Sequence, residues 1–297
     1  MDLNTVEALL APTGRDAVDA FTDGDAWLAG GSVLFSAPNP HLRRLIDLRA
    51  FDWPPLTITP AGLEIAATCT IAELDAYAAS GAQAPGPGCA TDPLPWPALA
   101  VVPPCCRALR GSFKIWNVAT VGGNLCTALP AGPMTSLMAG LAGRCEIWQP
   151  GGATRWAAVD EVVIGDGVCA LAPGELLRAI TLPREVLRGR AAMRQASLTE
   201  LGRSAALLIA RDAPHAFTLT ITASVPRAVT LTFAAARPSA AELDDAILAR
   251  LSREDYFDDL HGTPRWREQL TRRLARELLD QLGSAAGPAA AGGEPGR

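Results

Sequence analysis

A mixed α+β fold in two parts is what this sequence predicts, and three observations carry it. Two glycine pairs, in Ala29-Gly30-Gly31-Ser32 and Thr120-Val121-Gly122-Gly123-Asn124, each follow a short apolar run that reads as a strand. Each also precedes a segment that reads as a helix or turn. Beyond Pro183 the pattern changes to β-rich alternation, with residues 218–222 and 229–233 apolar at every second place. Helical patterns over 240–251 and 264–282 follow it. The 297 residues are enough for two domains with substantial cores.

In chain order, residues 6–10 read as a short strand, 16–21 as a helix, and Trp27-Leu28 as the entry to the first glycine loop. Residues 45–48 read as a strand, and 56–59 with 63–66, split by Pro60-Ala61-Gly62, as a hairpin. Thr70 and Glu73 have capping-box spacing, so a helix should fill 71–79. Residues 81–97 are too dense in Gly and Pro for regular structure. Pro130 and Pro133 interrupt the chain before an apolar helix over 135–142, a strand resumes at 145–148, and Gly151-Gly152 marks a hairpin turn. The expected layout is a first domain over 1–182, with subdomains 1–52 and 53–182. A smaller domain of three-stranded sheet and helices covers 183–282, and an Ala/Gly/Pro-rich tail over 283–297 should be disordered.

Composition narrows the function. A net charge of −5, with no stripe of Lys and Arg, argues against nucleic acid as the main partner. No apolar stretch has the length of a bilayer span, and Met1-Asp2-Leu3-Asn4 lacks the basic start of a signal peptide, so a soluble cytoplasmic protein is expected. The seven cysteines, at 69, 89, 105, 106, 126, 145 and 169, form no C-x-x-C pair. They read as free thiols acting as small apolar residues, with no metal or iron–sulfur site in this chain. Histidines 41, 215 and 261 and tyrosines 77 and 256 leave few candidates for a general base or for covalent attachment of a cofactor. No nucleophile–histidine–acid set is visible, which places substrate chemistry elsewhere.

The glycine loops are the best candidates for a ligand. Glycine permits φ > 0 and lets backbone N–H groups approach an anion, and a hydroxyl or amide after the pair can cap the next turn and touch a phosphate. A single such loop is also ordinary turn chemistry. Two in the same context suggest a dinucleotide pyrophosphate held from both sides, with ordinary turn chemistry in both as the alternative.

The wording of the loops adds a resemblance. Ala29-Gly30-Gly31-Ser32, followed by Asn117-Val118-Ala119-Thr120-Val121-Gly122-Gly123-Asn124-Leu125, resembles the FAD-binding middle subunit of the molybdenum hydroxylases, the family of carbon monoxide dehydrogenase and xanthine dehydrogenase flavoproteins. Pro173-Gly174-Glu175-Leu176-Leu177, with Ile180 and Pro183, looks like that family's strand out of the flavin domain. Asp258-Asp259-Leu260-His261-Gly262-Thr263 with Trp266-Arg267 looks like its C-terminal motif. The resemblance implies a two-subdomain FAD-binding domain of the vanillyl-alcohol-oxidase type, followed by a smaller α/β C-terminal flavoprotein domain.

It also implies non-covalent FAD. The pyrophosphate would lie against the N–H groups of Gly30, Gly31 and Ser32, within the loop that Ala29 opens. Gly122, Gly123 and Asn124, after Val121, would approach from the other side. Thr120 and Thr127 stand where the family contacts phosphate or ribityl groups, Leu171 would pack on a ring, and Arg194 stands where relatives have a lysine near the flavin. A surface ion pair is the competing reading of Arg194. Departures at Val33, Leu129, Pro133 and Trp116, and in Leu201-Gly202-Arg203-Ser204, bear on how tightly the flavin is held.

By the same resemblance a large molybdenum-cofactor subunit hydroxylates the substrate and a small subunit with 2Fe-2S clusters relays electrons. This chain would pass them to NAD, a quinone or another acceptor, inside a dimer of heterotrimers. Residues 93–97 with Trp96, and Pro103-Pro104, are the expected partner surface unless Trp96 fills the chain's own core. Arginines 265, 272, 273 and 276 read as a solvated face or a docking face. A self-contained flavin oxidase, and a scaffold with weakened flavin binding, are the rival readings.

Overall fold

A small parallel sheet comes first. β1 (Ala8–Leu10) leads through α1 (Asp16–Asp19) to β2 (Asp25–Leu28), and both strands pair with β3 (Arg44–Asp47) between them. The Asp25 carboxylate accepts from Arg44 Nε at 2.6 Å and Nη2 at 2.5 Å, which fixes the β2–β3 register. α1 stops two residues short of the expected helix. The strand over 45–48 likewise ends at Asp47, whose carboxylate accepts from the Arg49 N–H and starts a 3₁₀ turn at Leu48–Phe51. This computed structural model describes residues 3–80, 96–213, 215–234 and 237–284. The tail beyond 284 and most of the Gly/Pro-rich stretch, including Cys89 and Pro93, lie outside the described residues.

The second unit is a five-stranded antiparallel sheet. β4 (Leu56–Thr59) and β5 (Gly62–Ala66) form the expected hairpin, and α2 (Ile71–Ala79) follows with its capping box complete. Thr70 N–H donates to Glu73 Oε2 at 2.8 Å, and Glu73 N–H to Thr70 Oγ1 at 3.2 Å. After a 3₁₀ turn at Pro97–Val101 come α3 (Val102–Ala108), α4 (Phe113–Trp116), α5 (Val121–Thr127) and α6 (Pro133–Gly140). β6 (Arg144–Trp148) and β7 (Thr154–Ala158) then turn at Gly151-Gly152, both at positive φ as the hairpin demands. α7 (Val159–Val162), the small hairpin of β8 (Val163–Gly165) and β9 (Val168–Cys169), and β10 (Leu176–Pro183) complete the unit. β10 runs between β5 and β6 at the centre of the sheet. α6 begins two residues earlier than expected because Pro133 occupies its first turn, where the fixed φ of proline suits a helix and no N–H is needed.

The third unit differs from expectation. After α8 (Arg184–Arg188), four strands rather than three form one antiparallel sheet: β11 (Arg190–Ser197), β12 (Ser204–Ala213), β13 (Ala216–Thr222) and β14 (Val229–Ala234). α9 (Ala240–Arg250) and α10 (Pro264–Ser284) pack on this sheet. β12 is buried on both faces: Leu207 and Ile209 join the core of the second unit, Leu208 and Ala210 the core beneath α9 and α10. A strand covered on both sides has no polar alternation to betray it.

Two surface expectations also change. Trp96 is 4% exposed and packs in the main core beside Leu99 and Val102, so it is no part of a partner surface. Arg272 and Arg276 are not merely solvated, since both hold the buried Asp244 of α9. Trp266, Leu270, Leu274 and Leu278 do form the apolar stripe of α10. Among the described residues no helix is long and apolar enough to cross a membrane.

Candidate functional site

The first glycine loop leaves the sheet edge at the end of β2. Gly31 sits at φ +69°, and a Cβ there would meet the Phe35 ring at 2.5 Å, so glycine is needed on both counts. At Gly30 the constraint is the other loop: a Cβ would overlap the Val118 carbonyl oxygen. The backbone of the first loop therefore lies directly on the segment leading into the second.

The second loop is tied down from beneath. Val121 N–H donates to the Cys69 carbonyl at 2.8 Å and Gly122 N–H to the Ala67 carbonyl at 3.0 Å. The Thr120 hydroxyl caps α5 by accepting from Gly123 N–H at 3.0 Å. A Cβ on Gly122 would meet Ala67 at 2.5 Å, so this glycine lets the helix sit against the chain beyond β5. Gly123 is different. Its φ is helical, and a Cβ would find only Thr120 Oγ1, at 2.9 Å, before open space.

Between the loops is a cavity of about 640 Å³, lined by Ala29, Gly30, Gly31, Ser32, Thr120, Gly123, Asn124 and Thr127. Eight of the twelve expected residues meet here. Among the described residues the N–H groups of Gly30, Gly31 and Ser32 donate no hydrogen bond, so three adjacent amide donors remain for a ligand. Those of Gly122, Gly123 and Asn124 are all bonded within the chain. The second loop thus offers side chains instead. Asn124 Oδ1 accepts from Met134 N–H at 3.0 Å, and the Thr127 hydroxyl donates to the Gly123 carbonyl at 2.7 Å.

An apolar cavity of about 430 Å³ adjoins the first across Trp27, Ala29, Gly123 and Cys126. Gly122 and Leu171 line it, with Phe21, Leu48 and Leu177. Its wall is held by Glu175, whose carboxylate accepts from Arg155 Nε at 2.8 Å and Nη2 at 2.7 Å, from Gln149 Nε2 at 2.8 Å and from Ala172 N–H at 2.9 Å. The Arg155 guanidinium foremost, with the Ala172 and Gln149 bonds, holds the Glu175 carboxyl down to about 2. Trp27 Nε1 donates to the Glu175 carbonyl at 3.1 Å, joining β2 to the same wall.

Two expected residues are elsewhere. Val121 is fully buried in the core at the start of α5. Arg194, on β11, lines neither cavity; its Nε lies 3.6 Å from Glu277 of α10. Of the departures, Val33 and Leu129 line the larger cavity, whereas Pro133 is buried and lines neither. Sequence reasoning missed Phe21, Trp27, Cys126 and Cys169 as lining residues. Trp27 had a signal, since it lies in a strand that feeds a glycine loop; the others had none.

Three adjacent amides without a partner, on the wall of one cavity and beside an apolar cavity of about 430 Å³, suit a dinucleotide cofactor. Comparison with known proteins gives the family. Residues 13–185 match the family described as the FAD binding domain in molybdopterin dehydrogenase, and the chain belongs to it. FAD is accordingly the cofactor these residues fit. Among solved structures, reconstituted CO dehydrogenase from Oligotropha carboxidovorans is similar at 19% identity and a TM-score of 0.76, over 96% of this chain and 100% of that one. Quinoline 2-oxidoreductase from Pseudomonas putida 86 is similar at 17% identity and a TM-score of 0.75, over 96% and 99%. Carbon monoxide dehydrogenase from Hydrogenophaga pseudoflava is similar at 15% identity and a TM-score of 0.74, over 94% and 98%. These likenesses establish a shared fold. No curated protein matches the sequence.

Proposed function

We propose that this chain is the FAD-carrying electron-transfer subunit of a molybdenum-cofactor hydroxylase or dehydrogenase. It would take electrons from 2Fe-2S clusters of a small partner subunit and pass them to NAD, a quinone or another acceptor. A large molybdenum-cofactor subunit would act on the substrate, and the complex would be a cytoplasmic dimer of heterotrimers. The observation that carries the reading is the cleft: three unpartnered amides on Gly30–Gly31–Ser32 that line one cavity with Gly123, next to the apolar cavity.

Bound flavin supplies a two-electron store that can be emptied one electron at a time. The chain's own part is binding and exclusion. The amides of the first loop would donate to a pyrophosphate, Thr120, Asn124 and Thr127 would flank it, and the wall from Leu171 to Leu177 would keep water from a ring system. His41, His215 and His261 line neither cavity, so no imidazole stands ready as a base. That supports a carrier over a self-contained oxidase. Arg194 would have to leave Glu277 to approach the cleft.

Gly123→Val is the test. Its Cβ would press on the Thr120 hydroxyl that caps α5, at 2.9 Å, and its added bulk would stand on the wall of the cavity between the loops. The wild-type chain should take up one FAD per chain with the flavin absorbance bands, and the variant should fold with the same circular dichroism yet retain little flavin. Full occupancy in the variant would sink the two-loop site. Turnover of an organic substrate by the wild-type chain alone would sink the carrier role.

A further inference from the structure

Two cysteines meet where the cavities join. Cys126 lies on α5, three residues after Gly123, and lines both cavities; Cys169 ends β9, two residues before Leu171, and lines the apolar one. Their elements, α5 and β9, pack on each other, and the two thiols share the wall of the apolar cavity. Both side chains are partly open, whereas Cys69, Cys105, Cys106 and Cys145 are fully buried.

We propose that Cys126 and Cys169 form a redox-active dithiol, which a low-molecular-weight disulfide of the glutathione type oxidises to an intramolecular disulfide at the junction of the two cavities. The Cys169 thiolate attacks one sulfur of the small disulfide, breaking its S–S bond, releasing one small thiolate and leaving a mixed disulfide on Cys169. The Cys126 sulfur then attacks the Cys169 sulfur, gives its proton to solvent, and expels the second small thiolate. Two protein thiols lose two electrons and two protons, and one small disulfide becomes two thiols.

The order of attack follows from the surroundings. The Cys126 thiol beside it, with the Leu171 N–H and the Arg155 charge, brings the Cys169 thiol down to about 7 against the cost of burial. The neighbouring Cys169 sulfur, and burial, push the Cys126 thiol well up. Cys169 is therefore the nucleophile and Cys126 the resolving thiol. Cys145 is the nearby competitor, but it is wholly buried and burial pushes it up to about 12. The bond formed would tie α5, which carries the second glycine loop, to the strand leading to the apolar wall.

The test uses the full-length chain in a Cys89→Ser background, incubated without oxygen with oxidised glutathione, then digested without reduction and read by mass spectrometry. The expected main product has lost two hydrogens, joins the peptides of Cys126 and Cys169, and reverts with dithiothreitol. In the Cys126→Ser variant the reaction should stop at a stable mixed disulfide on Cys169, and Cys169→Ser should give neither product. A mixed disulfide that persists on Cys169 when Cys126 is present would overturn the proposal. So would a cross-link through Cys145, or a folded chain in which Cys169 does not react.

Discussion

At the residue scale, the Glu175 carboxylate makes the clearest measurable contribution. It holds the apolar wall through Arg155, Gln149 and the Ala172 N–H, and those bonds bring its pKa from an ordinary 4.5 to about 2 in the folded chain. A carboxyl held low in the folded state stabilises it fully above its unfolded value, and that stability is lost as pH falls through the folded value. Denaturant unfolding should therefore show this contribution intact above about pH 5 and draining away between 4.5 and about 2. Glu175→Gln should be less stable at neutral pH and should lack that limb of the profile. An unchanged profile in the variant would show that other carboxyls govern the acid limb. Glu175 was visible in the sequence only as part of a resemblance; its partners come from β6–β7 and the chain before β10, which no local pattern connects.

At the element scale, what the sequence revealed depended on whether an element carries its own reason to exist. α2 matches expectation at both ends because its cap is local, with Thr70 and Glu73 three residues apart. β12 was missed because its covering comes from two different cores, neither readable in its own run of alanines and leucines. α6 shows the same limit within the site. Leu129 before it reaches the larger cavity and is 41% exposed, while Pro133 in its first turn is buried away from both. The two departures from the family pattern thus have opposite consequences. Leu129→Ser should tighten FAD by about 1 kcal/mol, the scale of one added hydrogen bond. Pro133→Asp should instead destabilise the fold by about 1–3 kcal/mol, because a carboxylate would replace a ring in a packed helix start. Flavin titration and denaturant unfolding separate the two effects, and a Pro133→Asp chain that binds more tightly without losing stability would refute this division.

At the scale of the whole molecule, one buried cation joins the last helix to the last sheet. Arg267 is 1% exposed; Nη1 donates to the carbonyls of Ala205 at 2.6 Å and Ala223 at 3.0 Å, Nε to Gly262 at 3.1 Å, and Nη2 to Asp259 at 2.5 Å. The motif around Asp259, Gly262 and Trp266-Arg267 is therefore a structural lock, with Gly262 at φ +148° under the Trp266 ring. Arg267→Met should cost about 3–5 kcal/mol, since three carbonyls and a carboxylate lose their donor. The check is unfolding midpoint at constant slope; a loss under 1 kcal/mol, the worth of about one exposed ion pair, would show the lock to be slack.

The contact of Gly30 with the Val118 carbonyl has a consequence in time as well as in space. The two faces of the cleft come from segments far apart in sequence, and they meet backbone to backbone with no side chain between them. Such a junction gains nothing until the long intervening chain has folded and its closure entropy has been overcome. Helices such as α2 can form early on local signals, but the nucleotide cleft exists only once both units are docked. The site is therefore assembled among the last things in the molecule, and a nascent chain offers the flavin no partial foothold on the way.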